Sequence, residues 1–324
     1  MRTPVRLAGF LAVLGAAFGI ALGVGNSIGP VSDPASAHDE PHGASHGTPS
    51  DGEQSGTAAP VGTPGGLMVS QDGYTFALAE STSAPHQSAP VSFTITGPDG
   101  RPVTAYEREH EKRLHLIAVR RDFTGFQHVH PELGTDGTWL ARIDLTPGDW
   151  RLFADFTPGG ADPLTLGADL SVAGDYQPAA PAGQSRTAEV DGYTVTLDGV
   201  LVPGSDAKLT LSVHKDGRPV TDLQPYLGAY GHLVALREGD LAYLHVHPDG
   251  SPGDGRTKPG PDVVFYAAVP SSGDYRLFLD FQHDGVVRTA SFALPTAGTS
   301  RLEPTDPAHP TDGDTGTAED HSGH

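Results

Sequence analysis

Length, composition and charge already restrict what this chain can be. Its 324 residues suit two domains, but 42 glycines and 29 prolines predict that part of the chain does not fold. Forty acidic against 20 basic residues give a net charge of -20, which argues against nucleic acid as a partner and favours cations. The absence of cysteine excludes disulfides, thiolate metal sites and cysteine nucleophiles, whereas 16 histidines are present.

The amino-terminal segment, residues 1–37, has the pattern of an export signal. Arg2 and Arg6 precede an uncharged apolar run from Leu7 to Gly25, and Ala35-Ser36-Ala37 offers a small-x-small cleavage site. The apolar run is also close to the length that spans a bilayer. A cleaved signal peptide and a retained anchor helix both fit, and either places the rest of the chain outside the cytoplasm.

Three segments lie outside the folded units, and two of them, the tether and the tail, lack hydrophobic periodicity and are predicted to be flexible or disordered. The three segments are a tether at residues 38–66, a linker at 175–187 and a tail at 297–324. Histidines in the tether and tail are expected to bind divalent ions weakly, and the alternative is that both segments are merely solubilising. These histidines are His38, His42, His46, His309, His321 and His324.

Between these segments lie two copies of one unit, at residues 67–174 and 188–296. At an offset of 117, Asp99–Pro131 aligns with Asp216–Pro248 without a gap, and 14 of the 33 positions are identical. Unrelated sequences would match at roughly two such positions, so the pattern indicates a tandem duplication.

Each unit has the pattern of short strands separated by turn residues. Residues 91–96 and 208–213 alternate apolar and polar side chains, while 114–119 and 233–236 are more uniformly apolar, as expected of central strands. No stretch outside the leader carries a helical apolar stripe. The predicted fold class is all-β, with two tandem antiparallel immunoglobulin-like β-sandwiches of six or seven strands each.

Three histidines recur with one spacing in both units. Residues i and i+2 share a face of a strand, and a turn near 121–125 predicts a hairpin between the first histidine and the other two. Partners whose numbers sum to 245 or 243 would bring all three together, as would sums of 479 or 477 in the second unit. Converging imidazoles suit a metal ion, so we predict one site per unit. The predicted ligands are His115, His128 and His130, and His232, His245 and His247.

Other residues are candidates for smaller roles. Asp155 and Asp280 occupy matched positions on the strand predicted to end each unit, as a fourth ligand, as a partner of an imidazole or as exposed acids. His110 and His283 occur in one copy only and are at most accessories. An alternative for all the histidines is ordinary hydrogen bonding within the fold.

The duplicated motifs resemble those of actinobacterial secreted or membrane-attached proteins known as heavy-metal-binding-domain or YtkA-like proteins. The resemblance covers residues 67–295 and implies an immunoglobulin-like fold and a link to copper or other metal handling in the cell envelope. It implies no reaction. The stretches that carry it are Leu114–Ile117, Gly125–Pro131, Pro225–His232, Tyr243–Pro248 and Asp274–Phe278.

Imidazole and carboxylate ligands favour Cu(II) or Zn(II), and a blue-copper site is excluded because it requires cysteine. No HExxH motif, nucleophile elbow or phosphate loop is present, so we expect no enzyme. The sequence predicts an extracytoplasmic protein that sequesters or relays metal, at two equivalents per chain and with affinity falling below about pH 6.

Divalent metal ions, an envelope metal transporter and, through an uncleaved leader, the membrane are the expected partners. Two alternatives stay open. One is a structural or adhesive double sandwich of the cell envelope with non-ligating histidines, and the other is a metal-dependent hydrolase or oxidase.

Overall fold

The computed structural model describes residues 63–244 and 246–298. In this part the chain is all-β, as predicted, and forms two immunoglobulin-like β-sandwiches within one compact unit. No helix in these residues is long and apolar enough to cross a membrane. The predicted leader, most of the tether, the tail from residue 299 and His245 lie outside the described residues.

The first sandwich consists of two five-stranded sheets, ordered β1-β2-β4-β8-β7 and β3-β10-β9-β5-β6, antiparallel except for the β3–β10 pair. Its strands are β1 (Ser70–Gln71), β2 (Tyr74–Leu78), β3 (Thr82–Ser83), β4 (His86–Thr96), β5 (Leu114–Arg120), β6 (Gln127–Val129), β7 (Glu132–Leu133), β8 (Thr138–Leu145), β9 (Gly148–Phe156) and β10 (Leu164–Val172).

The second sandwich pairs a sheet ordered β11-β12-β13-β18-β17, with β14 added beside β13, and a sheet ordered β16-β15-β19-β20. Its strands are β11 (Thr187–Val190), β12 (Tyr193–Asp198), β13 (Ser205–Lys215), β14 (Arg218–Pro219), β15 (His232–Arg237), β16 (Tyr243–Leu244), β17 (Val246–Pro248), β18 (Asp262–Val269), β19 (Asp274–His283) and β20 (Val286–Pro295). Several are only two residues long, so the described residues hold more strands than the sequence pattern predicted.

Each sandwich has its own core, formed by the inward side chains of strands that alternate buried and exposed positions. In β8, for example, every second residue from Trp139 to Leu145 is buried, because only one face of that sheet is covered. Aromatic rings fill both cores, with Trp139 and Trp150 in the first and Phe265 and Phe292 in the second.

The uniformly apolar strands β5 and β15 are buried on both faces because the two sandwiches pack against each other. Alternate residues of β5 enter the first core, while Ile117 and Val119 point the other way, into a third apolar cluster. Val234 and Leu236 of β15 enter the same cluster from the second sandwich. A strand covered on both sides needs apolar residues at consecutive positions, which accounts for the pattern seen in the sequence.

The end of the predicted tether is an ordered part of this arrangement. Gly66 donates its backbone N–H to the carbonyl oxygen of Thr165 at 2.7 Å, and Arg151 donates to the carbonyl oxygen of Gly66 at 2.6 Å. The neighbouring Gly65 bridges to Tyr243 of the second sandwich. Assigning residues 63–66 to a flexible segment was therefore wrong, because backbone groups that find partners in both sandwiches leave no mark in the composition.

Candidate metal centre

The hairpin of β5 and β6 positions the three histidines of the first unit. Ile117 pairs with His128 and Leu116 with Val129, so the partner numbers sum to 245, one of the two predicted registers. The same register sets His130, just beyond the end of β6, opposite His115. On its other side His115 pairs with Asp155 of β9. The sequence placed Asp155 on the last strand of the unit, but β10 follows β9, so β9 is the next-to-last strand.

His115, His128 and His130 come together at one end of this sheet. Their ring centroids are 5.1 Å apart for His115–His128, 5.0 Å for His115–His130 and 4.9 Å for His128–His130. One ring nitrogen from each lies within 4.8 Å of the other two. Imidazoles that share a tetrahedral ion, with bonds of about 2.0–2.1 Å, have centres roughly 5 Å apart.

Hydrogen bonds fix the outer nitrogens of two of these rings. His115 donates through Nε2 to the carbonyl oxygen of Glu109 at 3.1 Å. His128 donates through Nδ1 to Asp280 Oδ2 at 2.9 Å, and Thr289 donates to the other oxygen of that carboxylate at 2.5 Å. Both acceptors lack hydrogen, so the outer nitrogens must carry it.

The inner nitrogens face one another. His115 Nδ1 lies 2.9 Å from His128 Nε2. If both rings are neutral, each of these atoms presents a lone pair. His130 Nε2 is buried and has no hydrogen-bond partner among the residues that the structure describes. An orphaned buried nitrogen is uncommon in a native fold and calls for an explanation.

Burial makes the rings hard to protonate. Desolvation, followed by the charge of His128, lowers the pKa of His115 to about 2. Desolvation, again with a smaller contribution from His128, lowers the pKa of His130 to about 3. Neutral imidazole is the form that binds metal, so these two rings are in that form over the whole physiological range.

The second sandwich contributes to the same place. His232 and Asp280 are partners in the β15–β19 ladder, and both are buried. The ring of His232 lies 6.3 Å from that of His115 and 6.2 Å from that of His128. His128 and Asp280 belong to different sandwiches, so their hydrogen bond crosses the boundary between the two.

The second unit does not repeat the arrangement of the first. Its β15–β16 pairing has partner numbers summing to 479, as predicted, but it ends at Leu244. The chain then joins the opposite sheet, where His247 on β17 is exposed and pairs with Tyr266. The sequence predicted that His247 lies opposite His232, and this is wrong because His247 pairs with Tyr266. His245 lies outside the described residues. Within the described ranges, the triad of the first unit is the group whose ligand atoms converge.

The two acids differ in their contacts. Asp280 accepts a hydrogen bond from a histidine of the triad, whereas Asp155 accepts one from Thr165 at 2.9 Å. Tyr243 also donates to Asp155, and burial, reinforced by that carboxylate, raises the pKa of this tyrosine well above its usual value. A cavity of about 360 Å³ lies beside Asp155 and two histidines of the triad. It is lined by His110, His115, His128, Asp155, His232, Tyr243 and His247, among others.

His110 was set aside as an accessory, yet its ring lies 5.0 Å from that of His232 and 6.1 Å from that of His115. In the sequence, only the position of His110 five residues before His115 could have indicated that it lies near the triad. His283, the other unmatched histidine, instead bonds Tyr193 at 2.6 Å and Asp222 at 3.1 Å, away from the centre.

The sequence matches the model of a known family twice. The domain of unknown function DUF8832 covers residues 69–172 and again residues 188–298. The chain belongs to this family. The comparison with curated proteins gives no significant match. The resemblance to YtkA-like proteins stays a prediction, because the DUF8832 match does not test it.

Solved structures similar to this DUF8832 tandem include the Escherichia coli adhesin FdeC, at 15% identity and a TM-score of 0.23 over 71% of this chain and 65% of that one. The adhesin InvE of Yersinia pseudotuberculosis matches at 11% identity and a TM-score of 0.20, over 68% and 58%. A two-domain fibronectin type III segment of chicken tenascin matches at 14% and 0.19, over 68% and 97%. The chain thus spans less than two thirds of either adhesin chain, and at these TM-scores we draw no functional conclusion from the similarity.

Proposed function

We propose that this protein binds a divalent metal ion at the boundary of its two sandwiches. His115 Nδ1, His128 Nε2 and a ring nitrogen of His130 are the ligands, and Zn(II) or Cu(II) is the ion that such a set favours. The predicted export leader supports a role outside the cytoplasm, in sequestering the metal or passing it on to an envelope transporter. The proposal includes no catalysed reaction.

The facing inner nitrogens of His115 and His128 are the observation that carries this proposal. Glu109 and Asp280 accept hydrogen bonds from the outer nitrogens of His115 and His128, so when both rings are neutral their inner nitrogens direct two lone pairs at each other across 2.9 Å. Two lone pairs repel unless a cation lies near both. A metal ion would satisfy this pair and would also give the orphaned His130 Nε2 a partner.

Burial and hydrogen bonding around the triad favour tight binding of an ion. His115 is 8% exposed, and the side chain of His128 is 5% exposed. A carboxylate that orients a ligating histidine through its other nitrogen is a common support of metal sites, and Asp280 has that position. The net charge of -20 on the chain attracts cations to the molecule as a whole.

A second candidate is a structural or adhesive module of the cell envelope whose histidines bind no metal. A proton on His128 Nε2 would complete an unbroken chain of hydrogen bonds from Asp280 through His128 and His115 to the Glu109 carbonyl. This chain would tie the two sandwiches together without an ion.

Metal titration of the full chain, purified without a polyhistidine tag, separates the two candidates. We expect wild-type protein to bind one equivalent of Zn(II) tightly, above a weak background that includes the terminal histidines. The double variant H128A/H130A should lose that equivalent and keep the background. H86A is the matched control, because it removes an exposed histidine at the start of β4 that does not line the cavity, and it should bind like wild type.

Equal binding by wild type and H128A/H130A would overturn the metal proposal and leave the structural candidate. Circular dichroism of each variant, which reports the β content, confirms that a lost equivalent does not reflect a lost fold.

A further inference from the structure

His232 repeats the local geometry of His115. His232 Nε2 donates to the carbonyl oxygen of Tyr226, six residues earlier, at 2.9 Å, just as His115 Nε2 donates to that of Glu109 at 3.1 Å. The residue after each acceptor has a positive φ, 47° at His110 and 54° at Leu227. Non-glycine residues enter this region at a cost, so both loops are held in the same special shape.

This shared bond determines which nitrogen is available. Because Nε2 carries the hydrogen, the lone pair of a neutral His232 is on Nδ1, the same atom that His115 offers to the triad. A neutral imidazole with its lone pair on an available nitrogen is the form that binds a metal ion. His232 is thus in the chemical state of a ligand.

His232 lies just outside ligand distance of the triad. Its ring is 6.3 Å from that of His115 and 6.2 Å from that of His128, against the roughly 5 Å expected for imidazoles on one tetrahedral ion. The missing distance is about 1 Å on the same geometry. The cavity of about 360 Å³ that these three rings line provides the space for such a movement.

The neighbour of His232 already holds the two sandwiches in this alignment. Asp280 pairs with His232 in the β15–β19 ladder and accepts the hydrogen bond of His128. A metal ion on the triad therefore lies beside a part of the second sandwich that is tied to one of its ligands. Three protein nitrogens leave one position of a tetrahedral ion open, and among the described histidines of the second sandwich His232 is the nearest buried one.

We infer that His232 Nδ1 is the fourth ligand of the centre and that the ion clamps the two sandwiches together. This inference rests on the proposed metal site in the first sandwich. It assigns to His232 a role in that site, in place of the separate second site that the sequence predicted. Metal binding and the packing of the two sandwiches are then coupled, so that each strengthens the other.

Hydrogen exchange of the full chain, with and without Zn(II) alone, tests the inference. An ion on the triad would protect β5 and β6 in any case. A fourth ligand on β15 should in addition slow exchange of residues 232–237, which contain no member of the triad. H232Q, which keeps a side-chain amide donor for the Tyr226 carbonyl, should abolish this extra protection and weaken Zn(II) binding by roughly tenfold or more.

The inference is overturned if Zn(II) protects β5 and β6 of wild type but leaves exchange of residues 232–237 unchanged. It is also overturned if H232Q binds Zn(II) within twofold of wild type while H128A/H130A does not bind. Failure of the metal proposal itself gives a different result, in which wild type shows no protection anywhere and no binding that depends on the triad. H86A, with wild-type exchange and affinity, controls for the loss of a histidine.

Discussion

Phe126 of the first sandwich stacks on Phe278 of the second, with ring centroids 4.1 Å apart and planes 6° from parallel. In the aligned repeats Phe126 corresponds to Tyr243, and Phe278 corresponds to Phe153. Tyr243 and Phe153 are also in contact, with centroids 5.6 Å apart. Each repeat therefore uses the same surface to contact the other, as in a symmetric dimer whose two subunits share one chain.

The Phe126 stack should contribute strongly to the packing of the sandwiches. Phe278 is only 3% exposed, and F126A removes the ring that stacks on it. We expect the free energy of unfolding to fall by on the order of 3 kcal/mol. Denaturant unfolding measures it. Y266A is the control, since Tyr266 is 41% exposed and should lose far less. Equal losses in both variants would contradict the role of the stack.

Asp280 should act as a positioning residue for His128. D280N keeps the size of the side chain but removes the charge that holds the hydrogen on His128 Nδ1, so Zn(II) affinity should fall by about 10- to 100-fold. D155N is the matched comparison, because Asp155 has the equivalent place but contacts Thr165 and Tyr243, and its effect should be smaller.

The spectrum of bound Co(II), substituted for zinc, provides the readout that a general loss of stability would not move. D280N should change the ligand-field bands, whereas D155N should leave them as in wild type. Identical spectra and affinities for D280N and wild type would remove Asp280 from the centre.

The metal-free protein should lose stability as the pH falls below about 6.5. Burial lowers the pKa values of His115, His130 and His232 to about 2, 3 and 4, from 6.5. Between these values and 6.5 the unfolded chain binds protons that the folded chain does not, so acid favours unfolding. Each ring contributes at most about 1.4 kcal/mol per pH unit in that window.

Unfolding free energies at pH 7, 6 and 5 in the presence of a chelator measure this slope. H130Q should show a shallower slope than wild type, since one of the three groups is gone. A wild-type stability that is the same at pH 5 and pH 7 would show that these rings are not buried in neutral form.

Gly66 should be required for the docking of the segment between the sandwiches. Its φ is +74°, and a Cβ at this position would overlap the ring of Phe153. Gly100 has almost the same φ, +75°, but nothing near its Cβ direction. G66A should therefore destabilise the protein more than G100A, which reports the backbone strain alone. Denaturant midpoints that are equal for the two variants would show that the close approach of Gly66 to Phe153 does not contribute to stability.

The sequence predicted the fold class and the hairpin because both depend on local patterns. Alternation in strands such as β8 and the spacing from His115 to His130 are sufficient to give sandwiches and a register. The pairing of His128 with Asp280 could not be predicted in this way. It joins residues of different repeats, and comparison of a chain with itself reveals what the repeats share and not how they pack.

The prediction of two equal sites failed in part for a similar reason. Identical His-x-His motifs indicate equal local chemistry, but β17 leaves the sheet of β15 and pairs with β18, so His247 takes a different place from His130. A role for His245 in metal binding stays a prediction. The expected loss of affinity below about pH 6 used the pKa of a free imidazole, and burial of His115 and His130 shifts proton competition at these rings to lower pH.

A crystal structure of the full chain grown with Zn(II), with anomalous scattering measured at the zinc edge, locates the bound ion. We expect one strong peak about 2.0–2.1 Å from His115 Nδ1, from His128 Nε2 and from a ring nitrogen of His130. Zinc peaks found only at other histidines, with the His115–His128 contact still at 2.9 Å, would contradict the proposed site.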